Sequence, residues 1–115
     1  MIAGSKEALY QGDTKEAFDL YADNALRVYG FDPRTKPSMS NANVLKQVRA
    51  FVTEFGIEDA KKIIEQLFGY RYAGRYRGKV IGTSIFASGY RWLANELLIE
   101  ALQNEHDMET LWRKF

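Results

Sequence analysis

At 115 residues with no cysteine and a formal net charge of +1, the chain is sized for one domain with a self-sufficient core. Disulfides, thiolate metal sites and cysteine nucleophiles are excluded. Hydrophobic residues at 46% and charged residues at 27% are the balance of a water-soluble globular protein, and no apolar run approaches a bilayer span. The first residues carry no charged-then-apolar leader, so a cytoplasmic protein without a membrane partner is expected.

From the N-terminus, Lys6 to Tyr10 suit a single helical turn before Gly12. Asp13 with Glu16 three residues later has the form of a capping box and opens the first long helix. Ala17, Leu20, Tyr21, Ala25, Leu26 and Val28 supply its apolar stripe, and Gly30 ends it. Residues 31–39 hold both prolines, Pro33 and Pro37, and read as a loop. Ser38 or Ser40 is the expected cap of a second helix over 41–55, with Val44, Leu45, Val48, Phe51, Val52 and Phe55 inward and Lys46 and Arg49 on the opposite side. Gly56 separates it from a third helix. There Glu58 and Asp59 complement the helix dipole, and Ala60, Ile63, Ile64, Leu67 and Phe68 form the stripe up to Gly69.

After the segment 69–79, Thr83 or Ser84 is placed to cap a fourth helical stretch anchored by Ile85 and Phe86. Gly89 splits this into a short turn and a longer helix. Tyr90, Leu93, Ala94, Leu97, Leu98, Ala101 and Leu102 carry that helix to about residue 103, with Trp92 expected in the core. Leu111, Trp112 and Phe115 form a small docking helix or fray. The fold class is therefore all-α: four to five short helices, with a basic Tyr/Arg/Gly-rich loop or small β-hairpin between the third and the fourth.

Charge is unevenly spread. Residues 34–49 carry Arg34, Lys36, Lys46 and Arg49 and no acid, and residues 66–95 carry Arg71, Arg75, Arg77, Lys79 and Arg91 and no acid. The flanking stretches 1–33, 50–65 and 96–115 are each net acidic. Within the second basic block, Gly69 to Lys79 interleaves Tyr70, Tyr72 and Tyr76 with Arg71, Arg75, Arg77 and Lys79. Guanidinium and ammonium groups pair with phosphates and phenol rings stack on bases, so this mixture suits a nucleic-acid strand. Four phosphate contacts would give a log–log salt slope of about −3 to −4. The plain alternative is that the tyrosines pack on the helices and the cations are merely solvated.

Catalytic and cofactor signatures do not emerge. His106 stands among Glu105, Asp107 and Glu109, but neighbours in sequence point to different sides of a helix and make poor joint ligands. The glycines of 69–82 match neither phosphate-loop fingerprint. No enzyme, metal or cofactor is expected.

The layout over residues 18–103 resembles the small helical C-terminal domains of phage replication-initiation proteins and of related DnaD-like primosome components. Those domains show a glycine–hydrophobic–x–aspartate turn before a helix and a threonine-x-x-phenylalanine element near the end. Gly56-Ile57-Glu58-Asp59 and Thr83-Ser84-Ile85-Phe86 stand at those places. The resemblance implies a phage- or prophage-type accessory protein acting on DNA or on a replicative helicase. The Tyr/Arg run has no counterpart in that pattern.

Three functional readings follow. The first is a nucleic-acid-binding accessory protein, DNA favoured, with Arg71, Arg75, Arg77, Lys79, Tyr70, Tyr72, Tyr76, Lys46 and Arg49 as its contacts. The second is a docking module for a host replication protein such as a helicase or polymerase, or a homodimer. The acidic N-terminal helix supports it, and an exposed Trp92 or Trp112 would favour it. The third treats 41–55 and 58–68 as a helix-turn-helix, but Glu58 and Asp59 would face phosphates unfavourably.

Overall fold

The computed structural model describes residues 6–69 and 82–113. Among them the chain forms five α-helices, three 3-10 turns and no strand. The helices are α1 (Lys6–Leu9), α2 (Gly12–Tyr29), α3 (Ala42–Phe55), α4 (Ile57–Leu67) and α5 (Arg91–Arg113), and the turns are Pro33–Thr35, Gly82–Phe86 and Ser88–Tyr90. The all-α expectation holds. The choice between loop and hairpin at 70–81 lies outside the described residues.

Two glycines set the joints. Gly30 takes φ 79° and ψ 13° and its N–H bonds the Leu26 carbonyl at 3.1 Å, the left-handed stop that side chains resist. Gly56 takes φ 82° and ψ 153°, a region essentially reserved for glycine. Its N–H closes α3 on Val52 at 2.8 Å while its carbonyl accepts from Ala60 at 2.9 Å, so one residue ends α3 and begins α4.

Caps differ from expectation in two places. α2 starts at Gly12, and Gln11 before it makes no side-chain cap, so Asp13 lies inside the first turn and acts there as a dipole-complementing acid rather than in a capping box. α3 is capped by Asn41, whose Oδ1 accepts the Val44 N–H at 3.0 Å. Ser40 is instead buried, its hydroxyl donating back to the Lys36 carbonyl at 3.0 Å, which closes the 36–40 turn. Ser38 is exposed.

The core lies between α2, α3, α4 and the first half of α5. α3 and α4 present the expected stripes, with Phe55 half-buried at the edge. On α2 the stripe is shifted: Phe18 and Ala22 are fully buried, whereas Leu26 faces solvent. The turn Gly82–Phe86 drives Ile85 and Phe86 into the centre. The Phe86 ring sits 5.2 Å from Tyr21 and 5.3 Å from Phe51, both edge-on, and Tyr21 reaches Phe68 at 5.5 Å. The Tyr21 hydroxyl finds no hydrogen-bond partner among the described residues, and its burial holds the phenol proton on to well above the ordinary range.

Ala87 adopts an extended conformation (φ −77°, ψ 147°) between the two turns, so the break falls there rather than at Gly89. α5 then runs back along α4, with Leu93, Ala94, Leu97 and Ala101 inward. It does not stop near residue 103 but continues as one helix to Arg113, through the polar stretch that contains His106. Residues 102–109 are all exposed, so this half of α5 runs past the core. No described helix is long and apolar enough to cross a membrane.

Candidate functional site

The helical frame sorts charge onto different faces. On α3, residues 46, 49, 50 and 53 follow the three-and-four spacing that puts them on one side. Lys46, Arg49, Ala50 and Thr53 line a groove there, closed on its far side by Ser88 and Arg91, with Glu54 at its edge. Three cations face one carboxylate. Lys46 and Arg49 are exposed and have no acidic partner among the described residues. The structure thus brings together the two predicted contacts that it describes.

Arg91 is held quite differently. Its Nη1 donates to the carbonyls of Phe86 at 3.2 Å and Ala87 at 3.4 Å, its Nε pairs with Glu54, and its guanidinium lies 5.3 Å from the Phe51 ring centre. It is a fixed cation that fastens the 86–91 corner to α3.

A second groove is lined by Phe31, Lys36, Ser38, Met39 and Gly82 to Ser84. It marks where the chain re-enters after the Tyr/Arg run. The exit is close by: Phe68 packs 5.8 Å from Tyr29, whose ring stacks on Phe31 at 6.1 Å. Both ends of the run therefore stand beside the C-terminal end of α2. Tyr70, Arg71, Tyr72, Arg75, Tyr76, Arg77 and Lys79 themselves lie outside the described residues.

The face between α2 and α4 is acidic: Glu16, Asp19, Asp23 and Glu65 line it with Lys15 and Lys61. Arg34, which the charge pattern grouped with Lys46 and Arg49, belongs here. It bonds Asp32 at 2.9 Å and Asp23 at 2.8 Å and approaches Asp19 at 3.6 Å, so it is neutralised in place. The hydrogen bond to Asp32, then that to Asp23, holds its proton on more tightly than usual, although partial burial opposes this. Burial pulls the Asp19 carboxyl upward, but hydrogen bonds from Lys15 and Tyr10 and the charges of Lys15 and Arg34 outweigh it and hold the group below its ordinary value. Burial, with the Asp19 carboxylate as acceptor, pushes the Tyr10 phenol up to about 12. The Arg34 hydrogen bond keeps Asp32 low as well.

A pH dependence follows. Carboxylates with depressed folded values stabilise the fold above the unfolded value near pH 4, and that contribution is lost as pH falls through the folded values. Arg34→Ala is expected to lower the melting temperature at pH 7. The gap to the wild type should close progressively below about pH 4, and a gap that stays constant down to pH 2 would refute the network's role.

α4 offers no free cationic face for a helix-turn-helix reading. Lys61 is tied to Glu16 at 3.0 Å and Glu58 at 3.7 Å, and Lys62 to Glu105 at 3.2 Å. Among the described residues no cluster of three or more histidine, cysteine, aspartate or glutamate side chains is arranged to hold a metal.

Sequence reasoning missed the role of Arg91 and the exposure of its neighbours. Trp92 is 60% exposed and Tyr90 39%, where the core was expected. Leu93 and Leu97 take the inward stripe, and Trp92, one residue earlier, is turned about 100° away from it. The signal was present as the aromatic–cation–aromatic triplet Tyr90-Arg91-Trp92. No family model, curated protein or solved structure matches the chain.

Proposed function

We propose that this chain is a small nucleic-acid-binding accessory protein, with DNA the favoured ligand. Arg71, Arg75, Arg77 and Lys79 contact phosphates, Tyr70, Tyr72 and Tyr76 stack on unpaired bases, and Lys46 and Arg49 of α3 add a second cationic patch. The observation that carries this reading is the segregation of charge. Among the described residues Lys46 and Arg49 have no acidic partner and line a groove with the fixed cation Arg91, while Arg34, Lys61 and Lys62 are consumed by carboxylates elsewhere. An unpaired cationic face on a nearly neutral protein recruits polyanions by local field rather than by net charge.

A part in DNA replication, in a phage- or prophage-type setting, rests on the resemblance carried by Gly56-Ile57-Glu58-Asp59 and Thr83-Ser84-Ile85-Phe86. Both elements do structural work here: Gly56 joins α3 to α4, and Ile85 and Phe86 fill the core.

The test is a titration with single-stranded and duplex DNA at two salt concentrations. Six phosphate contacts correspond to a log–log slope of about −4 to −5. The Arg71→Ala, Arg75→Ala, Arg77→Ala triple variant should lose about half of that slope. No salt-dependent binding to either DNA defeats the reading. Binding by the triple variant equal to the wild type removes the Tyr/Arg segment from the site.

Two observations favour docking to a replication protein as a second reading: Trp92, the residue whose exposure argues for it, is 60% exposed, and α5 carries apolar residues on its outer face. Ile99 and Leu102 are exposed on the outer face of α5, and Met108 is exposed further along it. Such a face suits a partner helix. Recovery of a helicase or polymerase with the wild type, and its loss with Ile99→Asp, would support it.

A further inference from the structure

We propose that the groove between α3 and the start of α5 takes single-stranded nucleic acid, with Tyr90 and Trp92 as its base-stacking platforms. This rests on the nucleic-acid reading above and deepens it by naming the strand class and two residues outside the Tyr/Arg run.

Arg91 lines the groove, and its two chain neighbours are the exposed aromatics. Because Arg91 is pinned to the Phe86 and Ala87 carbonyls and to Glu54, the backbone on either side of it is fixed. Tyr90 ends the turn Ser88–Tyr90 and Trp92 lies in the first turn of α5, so both rings start from Cα atoms next in sequence to the fixed Arg91. Neither ring contacts another aromatic ring among the described residues, unlike the Phe18, Tyr21, Phe51 and Phe86 rings of the core. An indole left 60% exposed gives up apolar burial that a stacked base would recover.

The cations supply the other half. Lys46 and Arg49 are almost one helical turn apart, about 5 Å along α3, so each can meet its own phosphate. Phosphate-facing cations with flanking aromatic faces form the sequence-tolerant surface that binds single strands, because every unpaired base offers a π-face. In a duplex those faces are already stacked inside the helix and only edges and backbone remain. The groove's positive excess favours a polyanion over an apolar partner helix here. Ile99 and Leu102 lie about two to three turns further along α5.

The experiment uses the full chain carrying Trp112→Phe, which leaves Trp92 as the single tryptophan of the two in the sequence. It is titrated with a twelve-residue oligo(dT), an oligo(rU) of equal length, a blunt duplex of equal length and inorganic polyphosphate. Trp92 emission should be quenched by both single strands and left unchanged by polyphosphate. Single strands should bind at least about tenfold more tightly than the duplex, and Tyr90→Ala and Trp92→Ala should each cost about tenfold in single-strand affinity. Equal affinity for duplex and single strand overturns the proposal. So does unchanged affinity in both aromatic variants while Lys46→Ala/Arg49→Ala weakens binding; in that case the nucleic-acid reading stands alone. If no polyanion binds, both readings fall together. If Trp92→Ala instead abolishes self-association in sedimentation, the aromatic face belongs to a dimer and the proposal is overturned.

Discussion

Phe86→Ala is expected to lower the unfolding free energy by about 3–5 kcal/mol, the range for emptying a buried phenylalanine site. The size follows from where the ring sits. Phe86 is fully buried, and its neighbours come from different elements: Tyr21 from α2 and Phe51 from α3. Those neighbours are themselves fixed by Phe18, Phe68 and Phe55, so little can move in to fill the space. Small domains have about 5–15 kcal/mol in hand, so the variant should melt far earlier. Urea unfolding followed by circular dichroism measures the change, with Leu26→Ala as the exposed comparison, expected within about 0.5 kcal/mol of wild type. A Phe86→Ala loss below about 1 kcal/mol would mean that the site collapses freely and the ring is not central. A binding consequence follows as well. The Phe86 carbonyl is one of the acceptors that hold Arg91, so loosening this turn should weaken the α3 groove before the protein unfolds.

How far the sequence discloses this depends on which interactions set each feature. α3 and α4 are readable because their stripes are long and regular and glycine marks their ends; Gly56 does both jobs at once. The Asn41 cap was obscured because Ser38, Ser40 and Asn41 all suit the role, and burial decides among them: Ser40 is drawn inward to close its own turn, leaving Asn41 at the cap position. The 82–90 segment is harder still. Its two 3-10 turns and the extended Ala87 are fixed by tertiary packing of Ile85 and Phe86, which local propensity does not encode. Arg34 shows the same limit for charge. In sequence it sits in an acid-free block, yet Asp23, eleven residues earlier, and Asp32 close on it across a turn. Among the described residues Lys46 and Arg49 have no carboxylate partner: the groove they line is shared with Ser88 and Arg91, and Glu54 there is already engaged by Arg91.

Removing five cations together should have the largest effect on binding. The variant Lys46→Ala, Arg49→Ala, Arg71→Ala, Arg75→Ala, Arg77→Ala is expected to lower single-strand affinity at 0.1 M salt by about three orders of magnitude. Each phosphate contact contributes about 0.7 to the log–log slope on single strands, so five contacts amount to about 3.5 decades between 0.1 M and 1 M salt. The α3 pair is exposed and has no acidic partner among the described residues, so its loss should leave the melting temperature nearly unchanged. The partial variants make the prediction sharper. If one strand spans both patches, the slope lost by the α3 pair and the slope lost by the arginine triple must add to the slope lost by all five. If the patches hold separate strands, the stronger patch sets the measured slope, and removing the weaker one leaves it unchanged. If only one patch binds, one partial variant reproduces the whole loss and the other does nothing. Additive slopes require the groove on α3 and the run between Gly69 and Gly82 to face a common strand.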